Sequence, residues 1–453
     1  MVHMELKKTL DLVNSKSFSV EIFGLGYVGF PLAVRLAKNG ISVHGVDINS
    51  ERVERLKNNF LMDSEIHLKD EFLKCRNNNM LGISENPKKS DEPKIGIICV
   101  PTPIPNENTN SDVFVKSAVE SFLKYSKKGD VIILESSIEV GTTENIRKII
   151  ENNGFHISEN YGLCFCPERV DPANKEWGIE NIPRVIYCSD DVTFEIAKII
   201  YKHVNMGNLI RVNHSKVAEV VKSFENAFRL VNISLVNELA ILCDKLGINV
   251  KEIINAASTK PFGFLAHYPG AGAGGHCIPK DPRFLLESAK KFELGFDTIK
   301  NALERNDQMP LYICNSIIRD LEKLKIEKSI LVCGLSYKAN VEDMRDSASF
   351  KIITELQKQN CRVYGFDPFF KDEYLEKYLI ENNLKEFDVK IINRLDGEVL
   401  NNVNCLCIVQ HHEINQNEIQ NIYEKSIIPY IYDCQNKLIK KNSSNTILEG
   451  LGI

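Results

Sequence analysis

Apolar residues recur in two periods along this chain. Short apolar runs at 19–23 (SVEIF), 41–48 (ISVHGVDI), 95–100 (IGIICV), 130–136 (DVIILES), 162–167 (GLCFCP) and 184–189 (RVIYCS) read as strands. They alternate with helical patterns such as PLAVRLAKNG, 142–152 and 192–204. Strands alternating with helices predict a parallel sheet covered on both faces. Between Lys216 and Gly247 there is neither Pro nor Gly, and Val, Ala, Leu and Phe occur all round the helical circumference. That pattern predicts one long buried helix between two halves. Further helix is expected at 249–258 and 281–320, on either side of the glycine-rich PGAGAGGHCIPKDP.

At Ser329 the opening pattern returns: SILVCGLSYKA echoes VEIFGLGYVG, and CRVYGFDPF echoes SVHGVDIN. In this second copy Ser336 and Ala339 replace the second and third glycines, so close approach of a pyrophosphate is not favoured there. The expected fold is α/β, with two Rossmann-like, doubly wound parallel-sheet domains joined by a long central helix. The expected boundaries are 1–212, 213–322 and 323–453.

Composition narrows the class. The 453 residues are 43% hydrophobic and 26% charged, which excludes a small stapled scaffold and wholesale disorder. A net charge of −5 without a Lys/Arg run offers no footprint for nucleic acid or an anionic membrane. No apolar stretch is expected to span a bilayer, and MVHMELKKTLDLVNSK lacks the apolar core of a secretory signal. Thirteen Cys without CxxC pairs read as reduced thiols, with no metal site, in a cytoplasmic protein.

Chemistry concentrates in four places. Gly24, Gly26, Tyr27, Val28 and Gly29 lie between a strand and a helix, where glycines let backbone N–H groups meet a pyrophosphate. Asp47 ends the next strand, placed to accept from ribose hydroxyls and to repel a 2′-phosphate, which favours NAD over NADP. Arg52 is either a helix-surface charge or a cover for the adenine face. Thr102 and Ser137 follow later strands at the ligand edge of the sheet; their hydroxyls reach the cofactor or cap local turns. Lys222, Asn226 and Arg229 share one helix face with Glu219 amid apolar neighbours, as a ligand face or an internal ion-pair network. Cys277 follows a glycine run and has polar neighbours, so it is either a nucleophilic thiolate or one more inert thiol.

Together FGLGYVGFPLA, VPTP, ESSIEVGTT, CPERV, NIPRVI, KVAEVVKSFENAFRLVNISLVNE, PGAGAGGHCIPKDP and GLSYKANVEDMRDS resemble the nucleotide-sugar 6-dehydrogenases of the UDP-glucose/GDP-mannose family. His276 before the cysteine, with IPKDP after it, is more similar to the UDP-N-acetylhexosamine branch, with UDP-N-acetyl-D-mannosamine first and UDP-N-acetyl-D-glucosamine second. The resemblance implies two NAD-dependent oxidations of the sugar C6 alcohol to a uronate for surface polysaccharide synthesis. In it Cys277 is the nucleophile that passes through thiohemiacetal and thioester. It also implies Lys222 as base or cation, Asn226 as its helper, and Glu168 and Asp281 as acids that handle a proton or orient water. Arg169, Val170, Arg229, Gly274 and Lys338 would contact substrate, and Arg345 would lie near the cofactor. A homodimer joined through the long helix, or a higher homo-oligomer, is expected on the same ground. Ser137 stands where the family usually has Thr. The family's frequent Arg between Ala256 and Tyr268 is missing, leaving Lys260 and His267 as polar candidates.

The alternatives are UDP-glucose as substrate, a two-electron hydroxyacid dehydrogenase that needs no thiol, and a silent NAD or nucleotide-sugar sensor.

Overall fold

The computed structural model describes residues 4–453 except 104–110, 170, 172–173, 175, 206, 276, 371–378, 381–389, 393, 396 and 443. Val170 and His276 thus lie outside the described residues. The chain forms two compact units, Met1–Phe224 with Arg283–Phe292, and Glu225–Pro282 with Glu293–Ile453.

The first unit holds eight strands among the described residues: β1 Ser19–Phe23, β2 Ser42–Val46, β3 Leu81–Ser84, β4 Lys94–Ile98, β5 Val131–Leu134, β6 Gly162–Phe165, β7 Arg184–Cys188 and β8 Leu209–Val212. Their order is β3-β2-β1-β4-β5-β6-β7-β8. β1 pairs in parallel with both β2 and β4, Ser19 standing opposite Ser42 and Lys94. The chain therefore reverses its winding between β1 and β4, where open sheets of this type take their ligands. β4 and β5 are buried along their full length, because helices cover both faces.

One pairing departs from the parallel expectation. β7 runs antiparallel to β6, with Cys164 opposite Cys188. The connection between them contains no helix among its described residues, so it lacks the crossover a parallel return needs. β3 and β8 escaped the sequence reading. β3 follows a helix over only four residues, and β8 is half exposed, so neither shows a clear apolar run.

The second unit repeats the plan with β9 Ser329–Cys333, β10 Arg362–Phe366, β11 Lys390–Ile392, β12 Cys405–Ile408, β13 Tyr430–Asp433 and β14 Ile447–Gly450, all parallel in the order β11-β10-β9-β12-β13-β14. The predicted helix over 281–320 is two helices, Asp281–Lys290 and Asp297–Leu324. Glu293 and Phe296, on either side of Gly295, adopt left-handed backbone that a helix cannot continue through.

The long helix runs Ser215–Leu246. It is not buried all round: Val217, Val220, Phe224, Phe228, Leu235, Leu242 and Leu246 are exposed in this chain. The unsegregated apolar pattern comes from a polar-studded side buried within the chain and an apolar stripe exposed on it. By length and composition this helix could also cross a membrane, contrary to the sequence expectation. Buried Glu219, Ser223, Asn226, Ser234 and Asn237 mark it as a helix packed on protein.

Candidate active site

The dinucleotide-binding candidates lie in the first unit. Gly24 has φ +88°, and a Cβ there would lie 2.6 Å from Cys99 O; one on Gly29 would collide with Gly24 O. Those two glycines are demanded by the fold. Gly26 is different, since a Cβ on it would meet no protein atom within 4 Å. Space kept open at that position, where a helix begins at Gly29, suits a pyrophosphate approaching backbone N–H groups. Val28 is the N-cap, and Tyr27 beside it is exposed.

Asp47 Oδ2 accepts from Leu25 N–H at 2.7 Å and its Oδ1 from Asn49 N–H at 2.9 Å. The half-buried carboxylate is thus aimed by the loop and retains lone pairs for ribose hydroxyls. Arg52 grips the other end of the same residue: its Nε and Nη2 donate to Leu25 O at 3.0 and 2.9 Å. It also pairs with Glu65 and lies over the Phe30 ring. Its guanidinium therefore braces the glycine loop, a role the sequence alone did not suggest. Glu65 was missed because nothing in DSEIHL marks it.

Thr102 is buried just beyond β4, and Ser137 is half-buried just beyond β5. Ser136 joins these two turns, its hydroxyl donating to Val100 O at 2.7 Å. Glu168 and Arg169 follow β6. The Glu168 carboxylate accepts from Arg169 N–H at 2.7 Å, and Arg169 Nη1 donates to Pro183 O at 2.8 Å.

Glu219 and Lys222 are one turn apart on the long helix but do unlike work. Glu219 is fully buried and accepts from Thr143 N–H at 2.8 Å and Gly141 N–H at 2.7 Å, capping the helix Thr142–Asn152. Lys222 is half-buried and makes no hydrogen bond or ion pair among the described residues. An internal ion-pair network through Glu219 is thereby excluded as the reason for Lys222.

The candidate thiol lies in the second unit. Of thirteen thiols, only Cys277 is exposed. Burial pushes others far from reactivity: Cys166 rises to about 12, and Cys99 and Cys333 rise well above the usual thiol range. Two asparagines hold the glycine run that leads to Cys277. Asn306 accepts from Ala273 N–H at 2.6 Å and donates to Ala273 O at 3.0 Å, and Asn237 accepts from Gly270 N–H at 3.0 Å. Both side chains are buried; Asn237 interrupts an apolar stretch of the long helix, which was an available signal, whereas Asn306 sits in the polar run LERNDQ, where nothing marks it.

Gly275, at φ +79°, leaves room for the Tyr337 ring, 2.6 Å from where its Cβ would be; a Cβ on Gly274 would collide with Asp346 O. The cysteine loop therefore packs on Ser336–Asp346, which carries Lys338 and Arg345. Arg345 is forked onto Asp343 at 2.6–3.1 Å. Asn226 donates to Asp281 Oδ2 at 2.7 Å, with both side chains buried. Asp281 N–H in turn donates to Cys277 O at 2.9 Å. Cys277, Asp281, Asn226, Gly274, Lys338 and Arg345 are thus linked within one unit, and Arg229 is half-buried one turn beyond Asn226.

The repeated loop has been rebuilt. Gly334 repeats Gly24, with φ +86° and its Cβ position against Gln410 O. But Asp367 is buried and accepts from Ser336 N–H and Oγ–H, both at 2.8 Å, and faces His412 Nε2 at 3.2 Å. Asp47 has lone pairs to give a ribose, whereas its counterpart has spent them inside the fold.

Residues 18–205 match the NAD binding domain of the UDP-glucose/GDP-mannose dehydrogenase family, 216–308 its central domain, and 331–440 its UDP binding domain. The chain belongs to that family. It is therefore an NAD-dependent UDP-sugar dehydrogenase acting on a CH–OH group. A UDP-N-acetyl-D-mannosamine dehydrogenase of Methanococcus vannielii is 36% identical over 82% of this chain and 84% of its own length. A UDP-N-acetyl-D-glucosamine 6-dehydrogenase of Pseudomonas aeruginosa is 32% identical over 79% and 84%. The solved UDP-N-acetyl-mannosamine dehydrogenase Cap5O of Staphylococcus aureus superposes with a TM-score of 0.81 at 29% identity, over 96% of this chain and 98% of that one.

In this dehydrogenase the segment that lacks the family's Arg is exposed. Lys260 lies over the Phe262 ring, and His267 stands edge-on to Phe228 with Nδ1 3.0 Å from Leu265 O.

Proposed function

We propose that the enzyme oxidises the C6 alcohol of UDP-N-acetyl-D-mannosamine to the uronate, releasing an aminouronic acid donor for a surface polysaccharide. The observation that carries this reading is one exposed thiol on a braced glycine loop, in a chain whose twelve other thiols are buried or half-buried. Relatives of both mannosamine and glucosamine type bear on the sugar, and the first several similar in sequence are of the mannosamine type.

Bound NAD⁺ supplies the hydride acceptor for each oxidation. Gly26 and the helix start at Gly29 hold its pyrophosphate and Asp47 its ribose, with Thr102, Ser137 and Arg345 as further contacts. Lys222 removes the alcohol proton or steadies the oxygen as it becomes negative, with Asn226 held for the same oxygen by Asp281. The Cys277 thiolate adds to the aldehyde carbon, and loss of a second hydride leaves a thioester. Water then attacks that carbon, the carbon–sulfur bond breaks, and Glu168 takes the water's proton. Arg169, Val170, Arg229, Gly274 and Lys338 bind the nucleotide sugar. Segments 1–212, 213–322 and 323–453 serve as cofactor, thiol and UDP domains.

The test is purified enzyme with NAD⁺ and a panel of UDP sugars. Two NADH per uronate from UDP-N-acetyl-D-mannosamine, well ahead of its glucosamine epimer, is expected. Turnover of UDP-glucose alone would refute the sugar assignment; one NADH per product would refute the thioester route, and binding without turnover would favour a sensor. We place the enzyme in the cytoplasm, which its thirteen free thiols suit.

The exposed stripe Val217, Val220, Phe224, Phe228, Leu235, Leu242 and Leu246 supports a homodimer. Sedimentation is expected to give twice the chain mass, and Leu235→Asp to give the single mass; a wild-type monomer would end this assignment.

A further inference from the structure

At the ligand edge of the first sheet lies a buried charge cluster that the proposed chemistry does not yet use. Arg184 opens β7 and is fully buried. Its Nη1 donates to Glu135 Oε1 at 2.8 Å, while its Nη2 is 3.4 Å from Glu135 Oε2 and pairs closely with Glu168 Oε2. Tyr201, from the helix Asp191–Lys202, donates to Glu135 Oε1 at 2.6 Å and lays its ring 4.8 Å from the guanidinium. Glu135 and Arg184 have no side-chain exposure, whereas Glu168 keeps 15%.

The sharing is asymmetric. An ion pair serving stability alone would turn the whole guanidinium fork onto Glu135, as carboxylate and guanidinium geometries favour. Here Nη2, held only loosely by Glu135 at 3.4 Å, is shared with Glu168, the cluster carboxylate that reaches solvent. That member is the acid just beyond CP in CPERV, whose other oxygen already accepts from Arg169 N–H. Among the described residues Cys99, Cys166 and Tyr201 also lie near the cluster, and burial holds their protons well above neutrality; Arg169 is the charged neighbour of Glu168 along the chain. Burial also pushes Glu135 up, against the pull of Arg184.

We propose that Arg184, anchored by Glu135 and Tyr201, is the positioning residue for Glu168: it fixes the direction of that carboxylate and keeps it ionised, ready to take a proton from water. The inference rests on Glu168 acting in turnover. It also divides labour between the two acids, since Asp281 is committed to Asn226 and Glu168 is kept as a base.

Two variants of the full enzyme should move the pH profile in opposite directions. In Arg184→Lys an ammonium cannot bridge two carboxylates. The acid limb of kcat is expected to move up by about one pH unit, with kcat near neutrality down about tenfold and both KM values within about threefold. In Glu135→Gln the amide still accepts from Tyr201 and Arg184, but its repulsion of Glu168 is gone, so the limb is expected to move down. A limb unmoved in both, with only a lower melting temperature, would overturn the proposal. If Arg184→Lys does not fold, Glu135→Gln alone decides. Glu168→Gln, run alongside, separates the two failures. Loss of the limb there but no movement in the other variants defeats the Arg184 role alone, whereas a wild-type profile there defeats the reading of Glu168 and the clamp with it.

Discussion

Cys277→Ser is expected to abolish uronate formation, lowering its rate by about a thousandfold or more. A serine hydroxyl is almost wholly protonated at neutral pH and is a far weaker nucleophile there than a thiolate. The fold should not suffer. Cys277 is exposed, and Asn237, Asn306 and the Tyr337 ring against Gly275 hold the loop's geometry. The melting temperature is therefore expected to be unchanged within measurement. The decisive control supplies the 6-aldehyde with NADH. Reduction back to the alcohol needs no sulfur, so the variant should still consume NADH while making no acid. If uronate still accumulates from the variant at the wild-type rate, the covalent route is wrong.

The fold was legible because its alternation of strand and helix is strong: the helix at 142–152 was bounded correctly, and the long helix to within a residue at each end. The family was legible from eight motifs. What escaped were features that depend on partners far along the chain. The antiparallel β7 follows from a connection without a helix, which no periodicity reveals. Arg52 reads as a surface charge or an adenine cover, and its brace on Leu25 O and Glu65 shows only in the fold. Glu219, Lys222 and Asn226 share a face by spacing, yet one caps another helix, one has no partner among the described residues, and one is tied to Asp281. Asn237 and Asn306 looked like ordinary polar interruptions. The repeated Asp367 kept its place in the pattern while losing the lone pairs that give Asp47 its use.

Lys222→Met is expected to lower kcat by about a hundredfold to ten-thousandfold, with little change in stability. A lysine buried for the sake of the fold has a carboxylate waiting for it, and its removal leaves that carboxylate stranded. Lys222 has no such partner among the described residues, so methionine, of similar length and apolar, strands nothing and spares the partial desolvation of an ammonium. Stability and catalysis are separated along one helical turn, because the structural charge there is Glu219, which satisfies two backbone N–H groups of the helix Thr142–Asn152. If the cation matters for steadying a negative oxygen, Lys222→Arg should recover part of the lost rate at every pH. If its task is to remove the alcohol proton, arginine, which does not give up its own proton in this range, should recover none. Wild-type kcat in Lys222→Met would remove this residue from the chemistry altogether, and a collapse in melting temperature would show that it belongs to the fold.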